Sequence, residues 1–235
     1  MAARARAAAA AGDEKHERAV AVRPAPGEAS RTFGVDSSDT ALVLIDLQHD
    51  FLSPDGRIGC NYASAVSSEQ VRSAVANAAQ VLAAARAAGL TIAHSRSHRY
   101  GTSVRTDLID PVDPGYELVE AVRAKPGEIV VDKWTFGAFA STDLEQQLRR
   151  RGVRRILLCG VLTNVCVFAT AVQAVDRFFR VCLVEDAAAA FRPEWHDAAV
   201  RLLSEPQLAK GHAGDNLGLY FGEVASTKAV VQALA

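Results

Sequence analysis

Residues 40–46 read T-A-L-V-L-I-D, five apolar residues without alternation that stop at an aspartate. A run of this kind fits a parallel strand covered on both faces, because a strand with one wet face alternates apolar and polar residues. Working outward, comparable runs recur at residues 90–94, 128–132 (EIVVD), 155–159 (RILLC) and 181–184 (VCLV). Helical patterns lie between them. Ser67 or Ser68 supplies an N-cap for a helix to residue 88, with Val71, Val75, Ala78, Leu82 and Ala85 on its apolar stripe and Gly89 as its stop. Further helices are expected around residues 117–123, at 142–151 before Gly152, at 164–178, at 193–203 and after Ser226. Strands alternating with helices at this spacing imply right-handed βαβ units on one sheet. The expectation is a single-domain, doubly wound, Rossmann-like α/β fold, with a mostly parallel sheet flanked by helices. Residues 1–35, rich in Ala, Arg and Pro, are expected to be a flexible N-terminal extension, and residues 36–235 the folded domain.

Composition excludes more than it identifies. The 235 residues are enough for a large core without metal or disulfide support. Lys and Arg total 26 against 27 Asp and Glu, a net charge of −1 that gives no electrostatic case for nucleic acid or an anionic membrane as partner. The 49% hydrophobic content is inflated by alanine, and no stretch approaches the roughly 18 apolar residues of a membrane span. The four cysteines lack the spacing of a secreted disulfide scaffold or a zinc site, so reduced thiols and a cytoplasmic location are expected. Asp13, Glu14 and Lys15 interrupt any secretory signal, and a flexible tail is preferred over an organellar transit peptide in residues 1–30.

Sites in open α/β sheets form at the carboxyl ends of strands. Three chemically distinctive residues fall at such ends: Asp46, Lys133 and Cys166. Taken singly they read as a turn cap, a solvated lysine and a small buried hydrophobe. Lys133 stands out because it is one of five lysines beside 21 arginines, and lysine can change its charge state where arginine cannot. Cys166 is placed at the start of a helix, where unpaired N–H groups and the helix dipole are expected to lower the thiol pKa. Cys159 and Cys182 keep the reading of core residues. Together the three supply a nucleophile, a base for its proton and a cation beside the base. Aromatics and amides nearby, namely Phe51, Trp134, Phe136, Gln48 and Asn164, are candidates for binding a substrate, although each also fits core packing or backbone capping.

The motifs D-L-Q-H-D-F (46–51), D-K-W-T-F-G-A-F (132–139) and G-V-L-T-N-V-C-V (160–167), in that order, resemble the isochorismatase-like cysteine hydrolases. The resemblance runs from about Thr40 to the C-terminus. It implies Asp46, Lys133 and Cys166 as catalytic triad, and a cis peptide at Val161–Leu162 that aims the Leu162 and Cys166 N–H groups at an oxyanion. It further implies cleavage of a C–N bond in a small amide or ureide (N-carbamoylsarcosine, biuret or ureidoacrylate type) through a thioester, without a cofactor, in a homodimer or homotetramer. The S-H-R-Y stretch makes His98 and Arg99 further binding candidates. Nicotinamidases of that superfamily hold a metal through an Asp and two His. His94 and His98 are present here, but no Asp lies two residues before a His, so no metal is expected. The alternatives are a metal-dependent nicotinamidase-type amidase, an isochorismatase-type enol-ether hydrolase and a non-catalytic binding member.

Overall fold

The computed structural model describes residues 17–23, 31–98, 114–205 and 221–235. Six strands form one sheet in the order β5-β4-β3-β6-β7-β8: β3 (Thr40–Ile45), β4 (Thr91–Ser97), β5 (Ile129–Lys133), β6 (Arg155–Val161), β7 (Arg180–Ala189) and β8 (Glu223–Ala225). Every neighbouring pair is parallel. The chain winds from β3 through β4 to β5, then returns beside β3 at β6 and winds the other way. The switch point lies between β3 and β6, where a crevice opens at the carboxyl ends.

The six residues of β3 are all buried because both sheet faces are covered. Leu42 and Leu44 enter one core layer, under α3 (Glu69–Ala87) and α7 (Thr227–Leu234). Ala41, Val43 and Ile45 enter the other, under α4 (Leu144–Arg150), α5 (Phe168–Asp176) and α6 (Pro193–Ser204). Two one-turn helices, α1 (His49–Leu52) and α2 (Ala63–Val66), shape the loop after β3. The caps read from sequence are present: Ser68 Oγ accepts from the Val71 amide at 3.3 Å, and Gly89 at φ 72° follows the end of α3. Gly160 is required by close approach. It has φ 121°, and a Cβ there would lie 2.2 Å from the Ile45 carbonyl oxygen on β3.

Besides the helix expected around 117–123, which is a single 3-10 turn at Glu120–Val122, three details differ from the sequence reading. The N-terminal region is not wholly an extension: β1 (Arg18–Val22) and β2 (Arg31–Val35) pair antiparallel. Val20, Phe33 and Val35 of this hairpin are fully buried in the α3/α7 layer, and its alternating residues supply the apolar face. Second, β4 continues through Ser97, so His94 is mid-strand rather than terminal. Third, the helix expected at 164–178 is a π turn at Thr163–Val167 followed by α5. All four cysteines are free. Among the described residues no helix is long and apolar enough to cross a membrane.

Candidate active site

Three strand ends converge at the switch point. Asp46 follows β3 with φ 51°, a left-handed conformation that aspartate tolerates better than most residues. The turn is held by β4: the Asp46 amide donates to the Ser95 carbonyl at 3.1 Å, and Ser95 Oγ donates to Asp46 Oδ1 at 2.7 Å. Lys133 ends β5, two strands away from β3, a distance of about 10 Å. With β4 between the two strands, Nζ lies 2.8 Å from Asp46 Oδ2. Nζ also donates to the Thr135 carbonyl at 3.0 Å and reaches Cys166 Sγ at 3.5 Å. Cys166 sits on the π turn after β6. The Val161–Leu162 peptide just before that turn is cis. Thr170 Oγ1 donates to the Cys166 carbonyl at 2.6 Å, tying the turn to α5.

Asp46 and Lys133 have no exposed side-chain surface, and Cys166 is buried. Burial alone would discharge the ammonium, but the Asp46 carboxylate and the Cys166 sulfur raise the Lys133 pKa above its ordinary value. The thiol differs from the sequence expectation. Burial and the neighbouring Asp46 carboxylate, which accepts its proton, push Cys166 up to about 12, and Lys133 offsets this only in part. The helix-start effect does not prevail because the residue is enclosed and faces an anion. At rest these shifts favour an ammonium at Lys133 and a thiol at Cys166, both beside Asp46.

A pocket of about 230 Å³ opens over Cys166. Phe51, Phe136 and Asn164, candidates from the sequence, line it, and so does Leu162. Asn164 Oδ1 is buried with no hydrogen-bond partner among the described residues. Ile58, Tyr62, Ser97, Val165, Phe191 and Trp195 complete the lining. Tyr62 and Phe191 stack with ring centroids 4.3 Å apart. None of these six stands out singly in the sequence: Val165 lies within the 160–167 motif, Ser97 ends β4, and the other four come from the loop after β3 and the stretch from Phe191 into α6. Ser95, which orients Asp46, was equally silent.

Other candidates take structural places. Gln48 is buried outside the pocket lining. Its Nε2 donates to the Ser97 and Tyr116 carbonyls (3.3 and 2.8 Å), and its Oε1 accepts from the Ser97 amide (2.7 Å). It braces a pocket residue from behind. His98 is buried, pairs through Nε2 with the Tyr116 hydroxyl at 2.6 Å, and stacks on Trp134. Trp134 is half exposed and covers His98 rather than lining the pocket. Arg99 lies outside the described residues. Among the described residues no three His, Cys, Asp or Glu side chains are grouped to hold a metal ion. His94 Nε2 instead meets Glu128 Oε2 at 3.1 Å.

Comparison with known proteins agrees with the motifs. An isochorismatase domain model matches residues 40–213. An uncharacterised isochorismatase family protein, YwoC of Bacillus subtilis, is 30% identical over 189 residues, covering 76% of this chain and 92% of that protein. The ureidoacrylate amidohydrolase RutB of Variovorax paradoxus is 27% identical over 176 residues, 64% of this chain and 69% of that protein. The crystal structure of a cysteine hydrolase from Pseudomonas syringae pv. phaseolicola superposes with a TM-score of 0.70 at 24% identity, covering 91% and 96% of the two chains, a likeness of fold.

Proposed function

The chain belongs to the isochorismatase family, and from that premise we propose that it is a cysteine hydrolase that cleaves a C–N bond in a small amide or ureide. The observation that carries the reading is the contact set at the pocket floor. One ammonium lies 2.8 Å from a carboxylate and 3.5 Å from a thiol, all three buried beneath an open cavity. Similarity to an amidohydrolase supports the choice of bond.

The steps follow from the charges at rest. As Cys166 Sγ bonds to the carbonyl carbon, Asp46 takes the thiol proton in the same step, so no free thiolate has to form first. The Leu162 and Cys166 N–H groups receive the negative oxygen. Collapse of the adduct breaks the C–N bond, and Asp46 returns its proton to the leaving nitrogen. Water then attacks the thioester with Asp46 as base, which releases acid and restores the thiol. Lys133 stays protonated throughout and remains beside Asp46 as a fixed positive charge. The test is a screen of small amides and ureides for ammonia release, with Cys166→Ala as control. Release by the wild type that the variant lacks is expected; release that survives in the variant contradicts the reading.

A further inference from the structure

One contact outside the triad joins the nucleophile turn to the pocket wall. Thr163 has no exposed surface and lies between Leu162 and Cys166 in sequence. Its hydroxyl meets His196 Nδ1 at 2.9 Å. His196 is in the first turn of α6, beside Trp195, which lines the pocket. The carbonyl of Leu162 is already fixed by the Val165 and Val167 amides at 3.0 and 3.2 Å. Thr163 holds the same turn from its side-chain face. Burial lowers the His196 pKa despite the opposing charges of Asp197 on its own helix and Glu185 on β7, and Arg23, ion-paired with Glu185, acts in the same sense as burial. A neutral imidazole pairs with the hydroxyl in either tautomer, so replacing the ring with a slightly larger phenyl removes one hydrogen bond and keeps a planar ring in place.

We propose that His196 is a positioning residue, which through Thr163 holds the turn that presents the Leu162 and Cys166 amides to the developing oxyanion. The proposal rests on the covalent chemistry argued above. An oxyanion site tolerates little displacement: a misplacement of about 1 Å costs on the order of 100-fold in rate, and loss of one donor costs a comparable factor. Alkylation of the same sulfur by iodoacetamide forms no oxyanion and needs no such turn. The two reactions therefore separate positioning from general disturbance of Cys166.

The test uses the full chain with two probes: 4-nitrophenyl acetate, followed by its Cys166-dependent burst of nitrophenolate, and iodoacetamide, followed by alkylation of Cys166. His196→Phe and Thr163→Val are each expected to slow acylation about 10- to 100-fold, mainly in the rate constant rather than in KM. Alkylation of Cys166 should stay within about twofold. The double variant should be no slower than either single one, as for two residues acting through one contact. His196→Gln, which keeps a donor and an acceptor, should recover part of the rate and guards against a His196→Phe protein that fails to fold. Parallel loss of both reactions, no loss in either, or independent multiplication of the two single effects overturns the proposal. If the wild type shows no Cys166-dependent burst, the covalent reading itself falls. A burst indifferent to His196 removes only this inference.

Discussion

Lys133 Nζ lies 2.8 Å from Asp46 Oδ2, and neither side chain has any exposed surface. A buried ion pair contributes modestly as a unit, because desolvation of both ions offsets their attraction. Removing one partner is another matter, since it leaves a bare charge in the core. Lys133→Met is expected to destabilise the protein by about 3–5 kcal/mol in denaturant unfolding and to abolish turnover. The double variant Asp46→Asn, Lys133→Met should regain much of the stability and none of the activity. A double variant less stable than Lys133→Met would contradict this account of the pair.

The raised thiol pKa has a direct consequence for pH. Burial and the Asp46 charge both favour the protonated form of Cys166 and push its pKa up to about 12. The rate of Cys166 alkylation by iodoacetamide should climb steadily through alkaline pH without levelling off near the ordinary thiol range. In Asp46→Asn the adjacent negative charge is gone while Lys133 remains, so the same curve should shift to lower pH. A plateau near neutrality in the wild type would mean that the helix-start effect prevails after all.

Acid should act through Glu128. Burial opposes its charge, yet Arg86, the Lys125 amide and His94 hold its pKa down to about 2. A carboxyl with a depressed native pKa stabilises the fold above its unfolded value and loses that contribution as pH falls toward the native one. Stability should therefore decline between about pH 4.5 and pH 2. Glu128→Gln should lower neutral-pH stability by about 2–3 kcal/mol and flatten that decline. An unchanged acid profile in the variant would place the acid sensitivity elsewhere.

Phe178 follows α5 with φ 60° and is 90% exposed. A left-handed residue just past a helix end is where glycine is commonest, and a phenyl ring there packs against little. Phe178→Gly is expected to raise stability by about 0.5–1 kcal/mol in thermal or denaturant unfolding, with activity unchanged. A loss of stability would show that the ring has a packing role.

Much of the site was readable in the chain, for identifiable reasons. The uninterrupted apolar runs of β3 and β6 fit strands covered on both faces, whereas β5, at the sheet edge, alternates and exposes Val130; the strand ends still indicated where Asp46, Lys133 and Cys166 meet. The N-terminal hairpin was missed because two five-residue strands separated by a Pro-, Ala- and Gly-containing stretch carry too little periodicity to read locally. The Cys166 thiol was misjudged because its pKa depends on enclosure and on a charge 120 residues away in sequence, and neither is local. Gln48 and His98 are buried and hydrogen-bonded within the protein, a placement that no local sequence pattern separates from that of a ligand contact.

The central claim is that Cys166 carries the acyl group. The most direct measurement is mass spectrometry of protein quenched during turnover of 4-nitrophenyl acetate. The account predicts an added acetyl group on the peptide containing Cys166, released by hydroxylamine and absent from Cys166→Ala. Hydrolysis that continues at the wild-type rate in Cys166→Ala, with no adduct on that peptide in the wild type, would contradict it.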